Sequence, residues 1–192
     1  QRSPLLLLIN DSFGALSCAL AQYAQVQVND SKLAELATLH NRQQNQLDNS
    51  HLQQQSSLAP YPQHADIVVL KLPNNHSYLQ YILQQLATVV SPDTLILASA
   101  KAKDITPNLL AIFQQELGPT SASLTVKKCR LITATIDPAL ATPTTPEFPI
   151  RWCTEDDQQL LVNQEVSNCR ILVVFFGGQL RTMSGINQAS LT

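Results

Sequence analysis

Three short, unbroken apolar runs constrain this chain most: Leu5-Leu-Leu-Leu-Ile9, the Ile67-Val-Val-Leu70 that follows Asp66, and Thr94-Leu-Ile-Leu-Ala98. None alternates polar and apolar residues as a half-exposed strand does. Continuous runs of this length are what strands buried on both faces of a parallel sheet require. Stretches of helical character lie between them. Gly14 to Tyr23 is rich in alanine and leucine, and Leu33, Leu36, Ala37 and His40 follow helical spacing. Tyr78 to Val90 is amphipathic, and Pro107 to Leu117 ends at Gly118-Pro119, the punctuation expected after a helix. Strand and helix alternate, which predicts a doubly wound α/β domain up to about Asp137.

Finer elements fit between these landmarks. Val26-Gln-Val28 reads as a short strand ending at Asn29-Asp30-Ser31, where Asp30 or Ser31 can cap the following helix. Residues 41 to 63 are polar and are expected to hold a helix end, a weak third strand and a long surface loop. Past Gly118, Leu124-Thr-Val126 and Arg130 to Ile136 read as strands with no helix between them, so an antiparallel pair should complete one sheet edge. Residues 1 to 137 then form the main domain, residues 138 to 165 a proline-rich linker with short strands, and residues 166 to 192 an atypical tail.

The balance of charge narrows the functions available. A formal net charge of -2 provides no global positive field to attract a phosphate backbone, so nucleic-acid contact would need a local basic patch. Lys101 with Lys103, and Lys127-Lys128 with Arg130, are the groups that could supply one. The first follows a strand at its C-terminal end, where α/β domains bind ligands. The second is read within a strand, with side chains pointing alternately to opposite faces. A merely solvated surface is the competing reading for both.

Catalytic signatures are missing. His40, His51, His64 and His76 lack metal-ligand spacing, and Cys18, Cys129, Cys153 and Cys169 are scattered, as free thiols of a reducing cytosol would be. Glu155-Asp156-Asp157 reads as a solvated turn. The longest early apolar run, Leu5 to Ile9, is too short for a membrane span or a signal-peptide core. The turn after the first strand, Asp11-Ser12-Phe13-Gly14-Ala15, stands where a cofactor loop would need several glycines. It has one, and Phe13 is expected to pack inward, so Asp11, Gly14 and Asp30 are read as degenerate cofactor positions. Lys71-Leu72-Pro73-Asn74 stands where an amino-methyltransferase would carry an Asn/Asp-Pro-Pro-aromatic tetrad.

At these residues the chain resembles a known family. Leu8-Ile-Asn-Asp-Ser-Phe-Gly-Ala-Leu-Ser-Cys-Ala-Leu20, Asp30-Ser31 with Glu35-Leu-Ala37, Ser99-Ala-Lys-Ala-Lys-Asp-Ile105, Leu117-Gly-Pro-Thr120 and Lys127-Lys128 with Arg130-Leu-Ile132 carry the likeness. It resembles the bacterial large-subunit (23S) ribosomal RNA (guanine-N2)-methyltransferases, sisters of a small-subunit guanine-N2 enzyme, over roughly residues 5 to 165. The resemblance implies a Rossmann-like, class I methyltransferase-type sheet with a degenerate cofactor site. It also implies two tandem domains, of which the N-terminal one has lost its cofactor and assists RNA binding. The C-terminal one would hold S-adenosylmethionine and the catalytic tetrad.

The expectations follow from that. This chain should be the N-terminal RNA-binding or scaffolding part of a cytoplasmic enzyme, with ribosomal RNA and the catalytic domain as partners and no membrane. It should carry no catalytic residue, metal ligand or bound cofactor. A complete S-adenosylmethionine enzyme with an unusual pocket is the alternative, and a truncated, inactive gene product is another. The departure after Gln164, through Ile171-Leu-Val-Val-Phe-Phe176 and a Gly177-Gly178 turn, fits a truncation or a shifted reading frame.

Overall fold

The computed structural model describes residues 3–140 in full and, beyond them, the backbone of four strands at 150–153, 159–162, 171–176 and 179–184. The chain divides into two compact units, Gln1–Thr144 and Thr145–Thr192. In the second unit, β8 (Ile150–Cys153) pairs antiparallel with β9 (Gln159–Val162), and β10 (Ile171–Phe176) with β11 (Gln179–Ser184). The expected turns at Glu155-Asp156-Asp157 and Gly177-Gly178 lie outside the described residues.

The first unit is built on a seven-stranded sheet in the order β3-β2-β1-β4-β5-β7-β6. The strands are β1 (Leu5–Ile9), β2 (Ala24–Asn29), β3 (Leu52–Ser56), β4 (Ile67–Lys71), β5 (Leu95–Lys101), β6 (Thr120–Ala122) and β7 (Cys129–Ala134). Strands β1 to β5 are parallel, and β7 runs antiparallel to both β5 and β6. This is the mixed, mostly parallel α/β sheet that the apolar runs imply. Both edges were legible, though β6 lies at Thr120–Ala122 rather than Leu124–Val126. Leu124 is 88% exposed and Val126 forms only an isolated bridge to Cys129.

Helices α3 (His76–Val89) and α4 (Pro107–Glu116) cover one face. Asn75 accepts N–H bonds from Ser77 and Tyr78 to start α3, and the Thr106 hydroxyl accepts one from Leu109 to start α4. Gly118, at φ 130, ends α4 as expected, with its N–H bonded to the Phe113 carbonyl. Beneath the two helices Leu79, Ile82, Leu83, Leu86, Leu109 and Phe113 pack on Leu7, Ile9, Val26, Val28, Val68, Leu70, Ile96 and Ala98.

The helices of the other layer differ from expectation. Helix α1 is only Ala15–Ala19, shorter than the helix read from Gly14 to Tyr23, and α2 is Lys32–Gln44. The positions that carry the helical spacing of α2 do not face the sheet: Leu33 is 74% exposed and Leu36 54%, and His40 is also exposed. The buried face is Ala34, Glu35, Thr38 and Arg42. The sheet explains the choice of face. On β2, Val26 and Val28 enter the apolar core while Gln25 and Gln27, one step out of phase, are buried on the side of α1 and α2. Two buried glutamines demand hydrogen-bonding partners, and an apolar helix face has none to offer.

Candidate functional site

The C-terminal edge of the parallel strands is where an α/β sheet presents its ligand groups. The turn after β1 opens with Asn10 at φ 63, whose amide donates to the Lys71 carbonyl at 3.3 Å. Asp11 is buried. Its carboxylate accepts the Ser17 N–H at 2.9 Å, and its carbonyl accepts the Gly14 N–H at 3.0 Å and the Gln27 amide at 3.3 Å. The aspartate therefore braces its own turn.

Gly14 has φ 74, and a Cβ there would stand 2.7 Å from Thr38 Cγ2 and 2.9 Å from Thr38 Cα. The single glycine of the turn thus lets α1 approach α2 closely. A cofactor loop uses glycine to open space for a ligand and keeps N–H groups free to face it. Here the space is taken by Thr38, and the N–H groups of Gly14 and Ser17 are already bonded to Asp11. The residues of this turn do not fit S-adenosylmethionine in the usual manner.

Phe13 was expected to pack inward beneath the turn; it is 68% exposed instead. Its carbonyl accepts the Asn41 amide at 2.8 Å, and the neighbouring Gly14 is seated on Thr38, so the backbone of the turn packs on α2 while the Phe13 side chain is left exposed. At the end of β2 the expected cap also differs. Ser31 occupies the N-cap position of α2 without a side-chain cap bond, and Asp30 supplies none either. Burial raises the Asp30 carboxyl above its usual range, its own backbone N–H opposing. Burial pushes the Tyr78 phenol strongly upward, with the nearby Asp30 carboxylate adding to the shift. Tyr61 is buried beside Tyr78 and Tyr81, and its hydroxyl and the Asn29 amide nitrogen have no hydrogen-bond partner among the described residues.

The basic residues come together along the same edge. Lys101 closes β5, and Lys103 follows in a 3₁₀ turn, Ala102–Asp104. Lys127 and Lys128 were read within a strand; they are the two central residues of a hairpin turn, with φ 48 and 65. Positive φ at both positions is what a tight two-residue hairpin requires, and the usual Asn-Gly signature is absent. The objection that alternating side chains would face apart does not apply to a turn. The Lys128 carbonyl accepts the Ala102 N–H at 2.8 Å, and Lys101 is opposite Cys129 in the ladder, so both lysine pairs are neighbours. All four lysines are exposed.

Arg130 is partly engaged elsewhere. Its guanidinium donates to the Ser123 carbonyl at 2.7 Å, bracing the hairpin. Lys71 was not among the expected contacts, yet it closes β4 beside Ser99 at this edge, and its ammonium donates to the Ser12 hydroxyl at 3.5 Å. Its place at the end of an apolar strand, parallel to that of Lys101, was the available clue.

No group of three or more potential metal ligands occurs among the described residues, and no described helix is long and apolar enough to cross a membrane. Cys18 and Cys129 are free. Burial pushes the Cys18 thiol upward, with Arg42 opposing.

Sheet order, helix placement and the turn after β1 define a Rossmann-like domain of the methyltransferase type. Solved structures bear out that fold. A T. thermophilus 16S rRNA N2 G1207 methyltransferase in complex with AdoMet and guanosine superposes with a TM-score of 0.59 at 15% identity, over 84% of this chain and 42% of that one. A precorrin-6y C5,15-methyltransferase from Geobacter metallireducens gives 0.58 at 11% identity, over 71% of this chain and 82% of the other. At these identities the likeness is one of fold. Sequence is more specific: residues 1–138 match the RLMG N-terminal domain, and the chain belongs to that family. Ribosomal RNA large subunit methyltransferase G of Klebsiella pneumoniae is 45% identical over 128 residues, which cover 67% of this chain. The matched part spans 34% of that relative, so the chain corresponds to about a third of the curated proteins it resembles.

Proposed function

We propose that this chain is the non-catalytic, RNA-contacting N-terminal part of a cytoplasmic, S-adenosylmethionine-dependent 23S rRNA (guanine-N2)-methyltransferase. In this reading residues 1 to 137 dock ribosomal RNA and support a catalytic domain that binds the cofactor. Residues 138 to 165 are a linker toward that domain, and residues 166 to 192 are an atypical tail. Asp11, Gly14 and Asp30 retain the positions of a cofactor site but serve the fold.

The observation that carries the reading is the joining of Lys101 and Lys103 to Lys127 and Lys128 through the Ala102–Lys128 backbone bond. A chain of net charge -2 has gathered four of its six lysines, all four exposed, at one end of the sheet. Such groups contact phosphates without reading sequence, so they position RNA and leave base selection to other residues.

The test is filter binding of an rRNA fragment across a salt series, comparing the parent with a variant in which Lys101, Lys103, Lys127, Lys128 and Arg130 are glutamine. Binding should weaken, and the logarithmic salt slope should fall by up to about one unit per charge removed. Calorimetry with S-adenosylmethionine should give no heat for either protein. Equal affinity and slope at low salt would remove the basic edge from the function, and micromolar cofactor binding would return the turn to a cofactor role.

A further inference from the structure

We propose that Phe13 and Lys71 form a clamp for an unpaired RNA nucleotide, the ring stacking on its base and the ammonium pairing with an adjoining phosphate. The proposal rests on the RNA reading above and adds a residue-level site and a preference for single strands. An aromatic ring that is 68% exposed gains little from folding, so its presence at the tip of a tightly bonded turn calls for a partner. The turn holds it in place from both sides. Asn41 bonds the Phe13 carbonyl, the next residue is seated on Thr38, and the residue before it meets the Lys71 ammonium at 3.5 Å.

Charge complementarity selects the occupant. From Lys71 the basic edge continues through the β4–β5 pairing to Lys101 and across the β5–β7 pairing to Lys128. A protruding aromatic at one end of a lysine track is the combination that binds unpaired nucleotides, because every base has a π-face and every linkage a charge. In a duplex the bases are stacked inside, and only the lysines would find partners. A protein partner for Phe13 would draw on the exposed Leu33 and Leu36 instead, and it would not need Lys71.

The experiment measures anisotropy of a labelled oligoadenylate and of a blunt RNA duplex with the whole chain. Phe13→Ala should weaken oligoadenylate binding by about tenfold and leave duplex binding unchanged. Phe13→Trp should restore it, and the new indole should be quenched as the oligomer binds. Lys71→Gln should weaken both RNAs and lower the salt slope. The quintuple glutamine variant separates the two levels: if it loses binding while Phe13→Ala does not, the basic edge stands and the clamp falls. If neither changes binding, both fall. If Phe13→Ala alters only self-association by sedimentation, the ring serves a second copy of the chain and the clamp is wrong.

Discussion

The two faces of the sheet are covered by helix layers that hold on by different means. Under α3 and α4 the contact is hydrocarbon: Leu79, Ile82, Leu83, Leu86 and Phe113 are completely buried against Leu7, Val68 and Ile96. Under α1 and α2 the contact is a hydrogen-bonded lattice. Gln27 donates to Thr38 Oγ1 at 3.0 Å, and Gln54 donates to Gln27 Oε1 at 2.8 Å and to the Glu35 carbonyl at 3.1 Å. At its centre Arg42, fully buried, donates to the Ser17 carbonyl at 2.7 Å, to Asn49 Oδ1 at 2.8 Å and to the Asp48 carbonyl. Apolar contact is non-directional and follows the area removed from water, whereas a buried polar lattice stabilises only in the geometry that satisfies every member. The polar layer is also the one that fixes the turn carrying Phe13. Precise placement of a loop suits directional bonds better than hydrocarbon packing.

The largest effect expected from breaking either layer is Phe113→Ala. The ring is fully buried at the meeting of α4 with the sheet, and its loss should cost about 3–5 kcal/mol of unfolding free energy, measured by urea denaturation. A loss below that of an ordinary surface substitution would mean that α4 is held by something other than its apolar face.

Arg42→Met tests the polar layer, replacing the guanidinium by an apolar chain of similar length. The buried Ser17 carbonyl would lose a donor in the interior, and the expected cost is about 1–3 kcal/mol. Buried ions can also be replaced by hydrocarbon at no net cost. A neutral or stabilising result would show that the lattice contributes specificity of arrangement alone. Amide exchange of the α1 segment would then be expected to quicken even without a loss of global stability.

The contrast between the layers also accounts for what the sequence made legible. Leu5–Ile9, Ile67–Lys71 and Leu95–Lys101 were readable from their continuous apolar runs, although only Leu5–Ile9 is buried on nearly every residue, while Leu95–Lys101 leaves Leu95, Ser99 and Lys101 exposed. Gly118 was readable as a stop because its chemistry does not depend on tertiary context, whereas the caps Asn75 and Thr106, equally local, went unread. Helix α2 was readable as a helix, but its buried face was not. Glu35, Thr38 and Arg42 are typical surface residues, and they enter the interior only because Gln27, Gln54, Ser17 and Gln25 are already there. The site shows the same division. Lys101 and Lys103 could be placed from the strand they follow, whereas Lys127-Lys128 take left-handed φ values that no turn signature announced. Phe13 was misplaced because an aromatic beside a lone glycine suggests a filled interior, and the close approach to Thr38 is visible only in three dimensions.

The smallest effect is the most pointed check on the polar layer. If α2 packed by its leucines, replacing Leu33 and Leu36 together by glutamine would bury two unpartnered amides and destabilise the domain severely. In the structure both leucines point to solvent, and Ala34, Thr38 and Arg42 occupy the buried side. Exposed substitutions of this kind change stability by about ±0.5 kcal/mol or less, and glutamine is nearly as good a helix former as leucine. The double variant should therefore unfold within that margin of the parent in urea, with an unchanged m-value, and its helical circular dichroism should be preserved. It removes apolar surface without adding charge, so the basic edge should bind RNA as before. A loss of several kcal/mol would return α2 to conventional apolar packing and would leave Gln27 and Gln54 without the α2 partners that now explain their placement.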